Sequence, residues 1–108
     1  MLPYSIDEIR ERVTPIAQKY NLAAVYLFGS YARGEATEES DIDLLVDLTG
    51  STIRGLKFVS LYNDLQEALQ IPVDVITSDT LDYPTTRRSE IHFNEAVRQE
   101  RMMIYEAA

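Results

Sequence analysis

Three aspartates and a Gly-Ser pair are the residues of this sequence whose types and spacing best suit chemistry. Asp41 and Asp43 stand two apart in Asp41-Ile42-Asp43, and Asp74 lies in Pro72-Val73-Asp74-Val75-Ile76. On a β-strand, residues two apart project from the same face with Cα atoms roughly 7 Å apart, a gap that two carboxylates can close onto a shared ion. Two anions held that close repel unless a cation lies between them. Ligation by a few carboxylates, completed by water and phosphate oxygens, is the preference of Mg²⁺, and a pair of such ions about 3.5–4 Å apart stabilises both attacking and leaving oxygens in an in-line displacement. Asp74 alternates with apolar residues in the same way, so it joins the same face as a third carboxylate if the two strands are neighbours. There it is placed to bind metal and to take an acceptor's proton.

Gly29 and Ser30 follow the apolar run Ala24-Val25-Tyr26-Leu27-Phe28. A strand that ends in a Gly turn and passes into a helical turn exposes backbone N–H groups that, with a small hydroxyl, cradle a phosphate. Arg33, one turn later, is a candidate either for contact with that phosphate or for an ion pair with Glu35.

The elements that must position these residues are legible in the periodicity. Ser5 and Glu8 form a capping-box pattern, and Ile6, Ile9, Val13, Ile16 and Tyr20 predict a helix over 6–20 that Pro15 should kink. Strands are expected at 24–28, 41–47 and 71–77, and a single helical turn at 30–34 closed by Gly34. In the second strand Ile42, Leu44 and Val46 face the core, and Asp41, Asp43 and Asp47 the other side, Asp47 being read as solvated. A helix over 52–70 is expected to bury Ile53, Leu56, Val59, Leu65 and Leu69. Residues 86–99 read as a helix, and Met102–Tyr105 as a short edge strand rather than a last helical turn. The order implies an α/β or α+β sandwich with helices against a small sheet.

Composition narrows the classes. With 108 residues there is room for one core, so residues 1–108 are expected to form a single domain. Ten Lys and Arg against 18 Asp and Glu leave a net charge of −8, which repels phosphate backbones and argues against general nucleic-acid binding. There is no Cys and one His, so disulfides, thiolate nucleophiles and zinc clusters are excluded, and any metal site is built from oxygen. His92 reads as a surface or partly buried side chain, and Tyr31 as a packing residue. The acidic N-terminus and the lack of a long apolar run imply a cytoplasmic chain without a membrane span.

Gly29-Ser30, ten intervening residues, Asp41-Ile42-Asp43 and then Asp74 resemble the signature of the DNA polymerase beta-like nucleotidyltransferase superfamily. The wording FGSYARGEATEESDIDLLVDL is similar to that of the minimal nucleotidyltransferases of prokaryotic MNT/HEPN toxin–antitoxin pairs. The resemblance spans Leu22 to about Thr77 and implies the nucleotidyltransferase fold, a small mixed sheet flanked by helices. It further implies Mg²⁺, two ions being expected, and ATP as substrate. Asp41, Asp43 and Asp74 would be catalytic and metal-binding, and Gly29, Ser30 and Arg33 nucleotide-binding. The implied acceptor is a tyrosine on a HEPN ribonuclease toxin, silenced by AMP. Two alternatives stand beside this reading: an antitoxin that covers a basic toxin without catalysis, and transfer to a small molecule. A homo-oligomer is compatible with either.

Overall fold

The computed structural model describes residues 3–50, 53–77 and 88–107. Helix α1, Ile6–Lys19, opens on the expected capping box: the Glu8 N–H donates to Ser5 Oγ at 3.1 Å, and the Ser5 N–H to Glu8 Oε1 at 3.0 Å. Asp7 and Glu8 also place negative charge at the positive end of the helix dipole. Ile9, Val13 and Ala17, four apart, form its buried stripe, and the helix continues through Pro15.

Strand β1, Ala24–Phe28, leads into the single-turn helix α2, Ser30–Arg33, and β2 follows at Ile42–Asp47. Helix α3, Leu56–Leu69, carries the chain back to β3, Val73–Thr77. Helix α4, Arg88–Glu100, then precedes β4, Met102–Glu106, so the terminal segment is the strand that was expected. The first residues expected in α4, 86 and 87, lie outside the described ones.

The four strands form one mixed sheet in the order β3-β2-β1-β4. β1 is antiparallel to both β2 and β4, and β2 is parallel to β3 across the α3 crossover. Parallel register is set locally. The Ile42 N–H donates to the Pro72 carbonyl at 3.0 Å. The Gln66 side chain bridges the turn after α3, donating to the Ile71 carbonyl at 3.0 Å and accepting from the Val73 N–H at 3.2 Å. Ile42 thereby pairs with Val73, and Asp43 with Asp74.

One face of the sheet packs on α1 and α3 through Val25, Leu27, Leu44 and Val46, against Ile9, Val13, Leu61 and Leu65. Each such aliphatic side chain contributes about 1.5–3 kcal/mol when removed from water. The two helices are also clasped by polar groups, Tyr20 Oη donating to Asp64 Oδ2 at 2.7 Å and Lys19 Nζ at 3.0 Å. Among the described residues no helix is long and apolar enough to cross a membrane.

Two sequence expectations are corrected. Helix α3 starts at Leu56 instead of 52, and its buried stripe is Leu61, Leu65 and Leu69, while Leu56 is 85% and Val59 52% exposed. At about 100° per residue, Leu56 lies opposite the middle of that stripe, so the two cannot share a face. Ile53 is buried as expected. The second correction concerns the aspartate side of β2, which is not a bare polar face. Leu45 lies fully buried between Asp43 and Asp47, packed with Phe28 and with Val97 of α4.

Candidate functional site

The end of β1 and the starts of β2 and β3 converge on one cleft. β1 stops at Phe28, which pairs with Asp43 across the antiparallel ladder. Gly29 then turns the chain with φ of +74°, a left-handed conformation that glycine adopts without steric cost. A Cβ at Gly29 would also collide with Asp43 Oδ2, so the missing side chain is required by both backbone and neighbour. Ser30 begins α2 directly after this turn, and Gly34, φ +73°, closes it.

Asp43 projects from β2 half-buried, with Asp74 in register on β3 and exposed. Its carboxyl is pushed up to about 6. Burial is the largest cause, followed by the negative charges of Asp74 and Asp41 and by a hydrogen bond shared with Asp74. Arg33 offsets only part of this. Asp41 stands just before β2 and is exposed, close enough for its charge to be felt at Asp43. Among the described residues no three carboxylate or imidazole groups are already gathered as a metal cage. The structure therefore brings Asp43 and Asp74 together, with Asp41 at their margin.

These residues suit a hard divalent cation. The available donors are carboxylate oxygens, and the negative charges of Asp74 and Asp41 beside Asp43 are a repulsion that a cation would relieve. Asp47 does not line the cleft: at the far end of β2, its carboxylate accepts from the Thr49 N–H and hydroxyl at 2.9 and 2.6 Å.

Of the two readings of Arg33, the structure shows the ion pair. Its Nε donates to Glu35 Oε1 at 3.0 Å, the surface pair anticipated, and the side chain also lines the cleft. A second partner, Glu100 Oε2 at 3.1 Å, was not anticipated. The cleft holds about 560 Å³, with Gly29, Ser30, Asp43 and Asp74 on its polar side. Phe28, Ile76, Ala96 and Val97 supply its apolar lining. Sequence reading missed that lining and Glu100. Ile76 could have been found two residues after Asp74 on the same strand face, but the α4 residues carry no local signal. His92 is exposed on α4, and Tyr31 is buried in the main core.

Comparison with known proteins agrees with this geometry. The family model described as a nucleotidyltransferase domain matches residues 6–101. A Methanocaldococcus jannaschii protein with the provisional name protein adenylyltransferase is 40% identical over 81 residues, 75% of this chain and 82% of that one. Protein adenylyltransferase MntA of Thermococcus cleftensis is 33% identical over 85 residues, 75% of this chain and 85% of its own. Among solved structures, one described provisionally as a minimal nucleotidyltransferase aligns with a TM-score of 0.67 and 27% identity, covering 94% of this chain and 98% of that one. A complex of a tri-AMPylated Shewanella oneidensis HEPN toxin with its MNT antitoxin aligns at 0.61 and 17% identity, over 94% of this chain and 73% of the other, a likeness of fold alone.

Proposed function

The chain belongs to the nucleotidyltransferase domain family, and on that premise we propose that it is a single minimal domain that transfers AMP from ATP to a protein hydroxyl. The acceptor is a tyrosine of a HEPN ribonuclease toxin in the cytoplasm, which makes this chain an antitoxin. The observation that carries the reading is the register of Asp43 with Asp74 beside the Gly29 turn, which supports taking that turn as the phosphate cradle next to paired carboxylates. The names of the M. jannaschii and T. cleftensis relatives and the AMPylated toxin of the S. oneidensis pair supply the nucleotide and the partner.

In this mechanism the Gly29–Ser30 backbone and the Ser30 hydroxyl hold phosphate oxygens, and Arg33 meets the triphosphate as a fork of donors. Asp41, Asp43 and Asp74 would hold Mg²⁺, which when bound neutralises phosphate charge and orients the triphosphate. Asp74, exposed at the mouth of the cleft, accepts the proton of the tyrosine hydroxyl. The phenolic oxygen forms its bond to the α-phosphorus as the bond to the bridging oxygen breaks, and pyrophosphate leaves. Exposure of Asp41 and Asp74 suits an acceptor that arrives on a folded partner, and a net charge of −8 favours a basic one.

The test is to incubate the chain with the purified toxin, ATP and Mg²⁺ and to weigh the toxin intact. Mass should rise in whole AMP units and stay unchanged with the Asp41→Ala/Asp43→Ala variant. Equal neutralisation by that variant with no added mass would replace catalysis with simple masking of the toxin.

A further inference from the structure

The cleft contains an anion of its own. Arg33, the cation lining it among the described residues, donates from Nη1 to Glu100 Oε2 at 3.1 Å and from Nε to Glu35 Oε1 at 3.0 Å. Glu100 is the last residue of α4 and lines the same cleft as Asp43 and Asp74. It reaches Arg33 across 67 residues of sequence, so the contact is tertiary and holds α4 to α2. A planar guanidinium satisfies carboxylate and phosphate oxygens by the same fork of N–H groups, which makes the two anions interchangeable partners.

We infer that Glu100 is an affinity-setting residue of the nucleotide site: its carboxylate takes the place on Arg33 that the triphosphate needs, and nucleotide binds by exchanging one anion for the other. The inference rests on the cleft being the nucleotide site. Glu35 differs from Glu100 in position and effect. It lies two residues from Arg33 outside the cleft, on a side chain 65% exposed, and keeps the guanidinium oriented after Glu100 is displaced. Arg33 and Glu100 side chains are 43% and 35% exposed. A pair that open is weak because water screens it, which sets the gain on removing the competitor at about two- to fivefold in affinity.

Calorimetric titration of ATP with Mg²⁺ into the wild type, Glu100→Gln, Arg33→Gln and the double variant tests this, with a thermal melt of each to verify folding. Glu100→Gln should bind about two- to fivefold more tightly, Arg33→Gln more weakly, and the double variant like Arg33→Gln alone. Glu100→Ala serves as a second removal of the charge with the same expectation. An equal gain from Glu100→Gln in the Arg33→Gln background would overturn exchange in favour of general charge repulsion. Weaker or unchanged binding by both Glu100 variants would overturn it as well, by making Glu100 a support for Arg33 or a bystander. A wild-type chain that binds no ATP would bring down the nucleotide-site reading itself.

Discussion

Replacing Asp43 by Asn should raise the stability of the metal-free protein while abolishing nucleotidyl transfer. The Asp43 carboxyl stands at about 6 in the folded chain against an ordinary value of 3.8, because burial and the Asp74 and Asp41 charges disfavour ionisation. A folded-state value raised in this way favours the fold below about pH 4, and that contribution is lost as pH climbs through about 6. Two pH units correspond to about 3 kcal/mol, and partial exposure and screening reduce this to about 1–2 kcal/mol. Asn cannot ionise, and its amide can still donate to Asp74, so the variant escapes the loss. At about 4–8 °C per kcal/mol for a domain near this size, its melting temperature in EDTA at about pH 8 should exceed the wild type's by about 4–16 °C. Near pH 4 the two should converge. With Mg²⁺ and ATP the order should reverse, since only the wild type gains ligand stabilisation. Circular-dichroism melts at both pH values decide the matter. A lower melting temperature for Asp43→Asn at about pH 8, or a difference that ignores pH, would refute the account and make this carboxylate a structural acceptor.

Gly29→Ala forces a side chain into a left-handed backbone and onto the Asp43 carboxylate, so it should cost about 1–3 kcal/mol in denaturant unfolding and remove ATP binding by calorimetry. Leu65→Ala should destabilise by about 2–5 kcal/mol by opening a cavity in the main core, whereas Leu56→Ser should stay within about 0.5 kcal/mol of wild type. Equal effects of those two changes in urea titrations would contradict the phase of α3. Mn²⁺ or Mg²⁺ should bind far more tightly with ATP present than alone, because the carboxylates supply only part of an octahedral shell. Titrations giving the same metal affinity in both conditions would argue against a shared site.

The strands were legible because their apolar residues alternate or run together, and the Gly29 turn because a glycine after a buried strand has a specific conformational use. The relation of Asp43 to Asp74 was legible only conditionally. Each aspartate could be placed on a strand face, but adjacency of the two strands depends on the α3 crossover, which no local pattern encodes. Helix α3 was misphased because Leu56, Phe58, Val59, Leu61 and Tyr62 offer several apolar stripes at once, and packing against α1 and the sheet selects the one through Leu61. The second buried face of β2 was signalled by the adjacent Leu44 and Leu45, since neighbours on a strand point in opposite directions. The Arg33–Glu100 contact had no signal at all, because nothing in a single sequence relates two charges 67 residues apart.

The crossover that brings β3 beside β2 also decides what an inactive variant means. Asp43 and Asp74 sit 31 positions apart in sequence and meet only when α3 has docked on α1 and the sheet. The candidate site is thus a reporter of complete folding, and a peptide bearing the Gly29-to-Asp43 motif alone should hold neither nucleotide nor metal. A change at Leu61 or Leu65, remote from the cleft, would lower activity by thinning the population in which the strands are paired. Such a defect would shrink on cooling towards the temperature of greatest stability and on saturation with ATP and Mg²⁺, while one at Asp43 would do neither. Activity measured at one temperature cannot distinguish a poor catalyst from a competent one that is seldom assembled.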